Sequence, residues 1–205
     1  MFGIFKQKEK KSQEDVFWSW LIENKNKIEQ FVDSDHSDYS IYNSLTEKIQ
    51  CYNPNLFPEL TKTSSDKFVL IITPDGKKEG VAATKALGAT APMIDNWIIL
   101  KFRQPTDEIL LNFKGVQYPS SDIEILADID RQREVVDISV FVRNMNNNPE
   151  TYQSLAFLYF DHILGEFNSI RKVGYIDFHH LDEGKTVKDS ISLLELRNLI
   201  ATELY

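Results

Sequence analysis

The sequence predicts an α+β fold: a mainly antiparallel sheet of about five strands covered by helices, with two helices at the N-terminus. Three observations predict it. Apolar residues recur at helical spacing through the first fifty positions. Two β-branched runs, "DIEILADID" and "VVDISVFVRN", joined by "RQRE", read as a hairpin. The remaining strands and helices follow one another with no regular β-α-β alternation and no internal repeat, which favours α+β over a doubly wound sheet. At 205 residues and 42% apolar, the expectation is one domain over residues 12–205 behind a flexible basic tail at residues 1–11.

Ser12 and Asp15 supply an S-x-x-D helix start. In "DVFWSWLIENKNKIEQFV", Phe17, Trp20, Leu21, Ile28, Phe31 and Val32 share one face, and Trp18 and Ile22 widen it. Aromatics this dense suggest a ligand-stacking surface, but helical spacing already accounts for them as core. A polar turn, "DSDHSD", follows. His36 among Asp33, Asp35 and Asp38 resembles a metal site on paper, yet polar turns between helices carry such residues routinely. A second helix over about residues 39–52 places Ile41, Leu45, Ile49 and Tyr52 on one face, and Pro54 and Pro58 close the region. Cys51 lies near its end and is expected to be a buried thiol.

Phe68 to Thr73 is a continuous apolar, β-branched run, expected as a central strand ended by the turn Pro74-Asp75-Gly76. "GVAATKALGATAP" matches neither phosphate-binding glycine spacing. It reads as a small-residue helix that lets backbone approach a sheet. "NWIILKFRQP" is a second strand, and residues 106–121 are ambiguous between helix turn and strand. In the hairpin, alternation sets Ile123, Ile125, Ala127 and Ile129 on one face. Asp128 and Asp130 share the other, beside Arg131 and Arg133, as a solvated surface pair. "NNNPETYQSLAFLYFDHILGEF" is a helix started by Asn and Pro149, apolar nearly all round from Leu155 to Leu164, and stopped or bent by Gly165. "IRKVGYIDFHH" is a strand, and "SISLLELRNLIATEL" a terminal amphipathic helix.

Charge narrows the function classes. The net charge is −8, and residues 1–11 carry four lysines and one glutamate, +3, which leaves −11 on residues 12–205. An acidic body is unsuited to phosphate backbones, whose affinity comes from Lys and Arg. No nucleic-acid partner is expected, and another protein is. One cysteine forms no internal disulfide. No apolar run reaches membrane-spanning length, and "MFGIF" is too short for a signal peptide. These point to a cytoplasmic protein with no cofactor.

Three segments carry a resemblance: "FWSWL", "APMIDNWIILKFRQP" and "FDHILGEFNSIRKVGYIDF". In order and spacing they resemble a small family of uncharacterised bacterial proteins of this length, with F-W-x-W, A-P-x-x-x-x-W and L-G-E motifs. The resemblance implies bacterial origin and an intact domain, and it implies no activity.

Three of the four histidines fall between His162 and His180. On a continuous helix His162 and Glu166, at i and i+4, share a face. On the following strand Asp177 and His179, at i and i+2, share a face, while His180 joins Ile176 and Phe178 toward the core. A divalent ion held by His162, Glu166, Asp177 and His179 requires helix end and strand to lie side by side. No zinc-protease or serine-hydrolase motif reinforces it, so a metal site is not expected. The leading expectation is an immunity-type or regulatory domain that binds a protein through an acidic surface. The alternative is a metal-assisted hydrolase using the His/carboxylate cluster.

Overall fold

A computed structural model describes residues 11–107, 111–113 and 116–204. The basic tail expected over residues 1–11 thus lies, apart from Lys11, outside the described residues, as do residues 108–110 and 114–115 of the ambiguous segment. The chain is a mixture of helices and strands with two N-terminal helices. The described residues fall into two compact units, one within residues 1–75 and 79–101, the other within residues 76–78 and 102–205.

The first unit opens on α1 (Gln13–Val32), whose start is the capping box legible in the sequence: Asp15 N donates to Ser12 Oγ at 3.0 Å and Ser12 N to Asp15 Oδ2 at 3.2 Å. It buries Phe17, Trp18, Leu21, Ile28 and Phe31, while Ile22, expected on that stripe, is 50% exposed. α2 (Ser40–Tyr52) buries Leu45 and Ile49. Cys51 is exposed, contrary to expectation; two residues past Ile49 it is turned about 200° round the helix from the buried stripe.

The sheet of this unit is β1 (Phe57–Lys62), β2 (Phe68–Thr73) and β3 (Trp97–Lys101), in that order. β1 is a strand that the sequence pattern conceals, because Pro58 reads as a terminator. An edge strand tolerates proline, and the Pro58 carbonyl accepts from Tyr42 Oη at 3.0 Å. β2 is central and nearly all buried, antiparallel to β1 and parallel to β3. The crossover α3 (Val81–Ala89) forces that second pairing. At Gly88 of α3 the Lys101 side chain of β3 lies close, and an added Cβ would meet its Cγ and Cδ. Leu45, Ile49, Leu56, Leu70, Ile72 and Leu87 close the core.

The second unit carries the two-stranded ladder β4 (Leu111–Phe113) and β5 (Val116–Tyr118), then β6 (Ile123–Asp130) and β7 (Val135–Arg143), the expected hairpin. α4 (Pro149–Tyr159) continues as a π-helical turn over Phe160–Leu164, and α5 (Glu166–Lys172) leads into β8 (Val173–Leu181). α6 (Leu193–Glu203) starts on a Ser192/Glu195 capping box. The strand order is β6-β7-β8, with β6/β7 antiparallel and β7/β8 parallel. Ile125, Val136, Ile138, Val140 and Val142 pack with Leu155, Tyr159, Leu164, Leu196 and Ile200.

The single, mainly antiparallel sheet of about five strands is therefore corrected: among the described residues there are two three-stranded sheets, each half parallel, and a short ladder. Each sheet comes from a hairpin followed by a helical crossover, so the same connectivity occurs twice without sequence repetition. No described helix is long and apolar enough to cross a membrane.

Candidate functional site

Two places in the second unit gather chemistry-bearing side chains. The first is the junction after α4. A π-turn adds a residue to the helical repeat, and such turns recur at functional positions. Gly165 ends it at φ +79, a backbone geometry that favours glycine, and an added Cβ would stand 3.0 Å from Pro105 Cδ. The chain then restarts as α5 with Glu166, which is fully buried.

Glu166 Oε1 accepts from Gly76 N and Oε2 from Arg103 N, both at 3.1 Å. Glu166 N donates back to Arg103 O at 3.1 Å. The Arg103 guanidinium sits 3.7 Å from Glu166 Oε1 and 3.2 Å from Asp161 Oδ2. Alongside, Thr106 N donates to His162 O at 2.8 Å, and Arg197 Nη1 reaches Thr106 O at 3.2 Å and Ile163 O at 3.4 Å. The carboxylate is a tie between distant backbone segments. Its oxygens are held by donors, and presenting them to an ion requires those bonds to break.

The second place is the outer face of β6-β7-β8. Strand alternation puts Glu124, Leu126, Asp128 and Asp130 of β6, Asp137, Ser139, Phe141 and Arg143 of β7, and Tyr175, Asp177 and His179 of β8 opposite the core-facing residues. His179 Nε2 lies 3.1 Å from Asp177 Oδ2, and its ring stacks on Phe141 at 4.8 Å between centroids. Asp128 stands directly across from Asp137. Arg133 pairs with both Asp130 and Asp137, and Arg131 with Glu203.

The four sequence candidates therefore divide. Asp177 and His179 share a half-exposed strand face, as alternation requires. Glu166 is buried at the helix junction, and His162 lies in the π-turn. The shared helix face assumed for His162 and Glu166 is lost because the π-turn and Gly165 interrupt the 3.6-residue period. Among the described residues no group of three or more His, Cys, Asp or Glu side chains is arranged to hold a metal ion. His180 falls in line with Ile176 and Phe178, where its Nδ1 accepts from Asn146 N at 3.4 Å and Nε2 meets Asp182 Oδ1 at 3.3 Å. His36 in the earlier polar turn packs its ring on Phe31 at 4.9 Å. The role of Glu166 as a buried tie has no sequence signal, because its donors come from segments 90 and 63 residues away.

No protein-family model and no curated protein matches the chain.

Asp137 is firmly held on the outer face. The Tyr175 backbone N–H, 2.7 Å from Oδ1, and then the Arg133 guanidinium keep its carboxyl below the usual range, against partial desolvation. A depressed folded-state value means its contribution is present above the unfolded value, about pH 4, and is lost as pH falls through the folded one. Asp137→Asn is expected to lower the unfolding midpoint at neutral pH, with the two proteins converging in acid. Midpoints separated by a constant amount from neutral to strongly acidic pH would contradict this linkage.

Proposed function

We propose that the chain is a cytoplasmic bacterial protein-binding domain of the family its motifs resemble. In this reading it is an immunity-type or regulatory protein that meets a basic partner through the outer face of β6-β7-β8. The observation that carries the reading is the make-up of that face. Asp128, Asp130, Asp137 and Asp177 lie on one face with Leu126, Phe141 and His179 and the cation Arg133, while at its end Glu124 and Arg143 are engaged by the 182–190 segment. A partly apolar centre inside a charged rim is how binding surfaces are built.

The Asp128/Asp137 juxtaposition adds support. Like charges directly across a ladder oppose folding. Arg133 answers the Asp137 charge from within the chain, so in this reading a basic partner would add to that pairing at Asp128. Electrostatic complementarity of this kind mainly accelerates association. The −11 carried by residues 12–205 extends the same attraction over longer range.

The test is isolation of the complex from native lysate of the source organism, identification of the retained protein, and measurement of its association rate. A single basic protein at 1:1 stoichiometry is expected, with a rate falling steeply as salt rises. Asp128→Lys with Asp177→Lys should slow association by about tenfold or more. Failure to retain any protein, or a rate indifferent to salt and to these substitutions, overturns the reading. A divalent ion near one equivalent in never-chelated protein, with hydrolytic activity lost on its removal, would overturn it in favour of a metal-assisted hydrolase.

A further inference from the structure

β8 ends its sheet: the order is β6-β7-β8, and among the described residues no strand pairs with its far edge. Natural edge strands are blunted by proline, charged side chains, bulges, brevity or a covering element. β8 has nine residues, "VGYIDFHHL", with neither proline nor lysine among them; its register irregularity against β7 lies at the Val136/Ile138 end, and its one carboxylate is Asp177. Its flanks are aromatic and open. Tyr175 is 67% exposed, and Phe157 of α4, 48% exposed, meets Phe178 edge-to-face at 5.4 Å.

We infer that β8 pairs with β8 of a second copy of this chain, antiparallel about Phe178, joining two three-stranded sheets into one of six strands. The strand's own sequence selects that register. Two-fold pairing about Phe178 sets Asp177 opposite the second copy's His179, Ile176 opposite its His180, and Tyr175 opposite its Leu181. Directly opposed residues share a face. On the outer face a carboxylate therefore meets an imidazole, twice by symmetry. On the inner face the two Phe178 rings meet, each already flanked by a Phe157. Shifting the centre to Asp177 opposes carboxylate to carboxylate, which disfavours it. The Asp177–His179 contact at 3.1 Å within one copy shows both groups already presented on the outer face. The pairing uses the free edge of β8 and the reading above its outer face; Asp177 and His179 belong to both, so the hydrogen-exchange test of the unaltered chain is what separates them.

Sedimentation equilibrium of the full chain from about 1 μM to about 1 mM tests it. A reversible monomer–dimer equilibrium is expected. His179→Asp opposes two carboxylates at both symmetric positions and should weaken dimerisation by about tenfold. Asp177→His combined with His179→Asp restores the acid–imidazole opposition and should recover the dimer. A wild-type chain that stays monomeric throughout, or a His179→Asp chain that dimerises as well as wild type, overturns the inference. Hydrogen exchange on the unaltered chain gives a second reading that no folding defect can confound. Protection of β8 amides must rise with protein concentration, and concentration-independent exchange there rejects the pairing.

Discussion

Glu166→Ala is expected to destabilise the second unit by about 3–5 kcal/mol, the scale for removing one partner of a buried, hydrogen-bonded charge. The Glu166 side chain is fully buried, and it takes the backbone N–H of Gly76 and of Arg103, one on each oxygen. Deleting it strands those donors and removes a carboxylate that, with Asp161, flanks the Arg103 guanidinium. Glu166→Gln should cost less, about 2 kcal/mol. It preserves volume, but its amide NH2 must face one of the two N–H donors. The measurement is denaturant unfolding followed by far-UV circular dichroism, with hydrogen exchange of α5. Tryptophan fluorescence is a poor probe, because Trp18, Trp20 and Trp97 all belong to the first unit. A loss below about 1 kcal/mol for the alanine variant would mean water replaces the carboxylate at little cost, and the tie would lose its structural role.

Tyr159→Ala should cost a similar amount, about 3–5 kcal/mol, for a different reason. Tyr159 is among the largest fully buried side chains, packed among Ile125, Val140 and Leu155. Its removal leaves a cavity that a close-packed core closes only partly. The hydroxyl has a separate task. It donates to Tyr118 O at 2.5 Å and accepts from Leu111 N at 3.3 Å, so it ties the β4–β5 ladder to α4. Tyr159→Phe keeps the ring and loses only that tie, which should cost about 1–2 kcal/mol. Its effect should concentrate in faster exchange of the Leu111 amide. Equal losses for the two variants would place the whole contribution in the hydroxyl and contradict the packing argument.

The architecture was legible wherever one period ran uninterrupted. The Ser12 capping box, the buried run Phe68–Thr73 and the hairpin of Ile123–Asp130 with Val135–Arg143 all stand where the sequence places them. β1 was hidden by Pro58, and α5 by the expectation that a strand begins soon after Gly165. For the candidate site, alternation correctly split His179 from His180. The helical spacing of His162 and Glu166 misled, because the π-turn and Gly165 break the repeat it relies on.

By itself, the sequence determined what backbone geometry imposes over a few residues: caps, turn positions, and which side chains of β8 share a face. A strand's period of two and a helix's of 3.6 are properties of neighbouring peptide units, so they can be read without knowing the fold. Only the tertiary structure decided how the strands are shared between two sheets, that β3 and β8 run parallel to their neighbours, and that Glu166 is a buried tie rather than a ligand. Those outcomes depend on crossovers that return the chain over a sheet and on donors tens of residues away. Long-range closure of this kind has no local period to announce it.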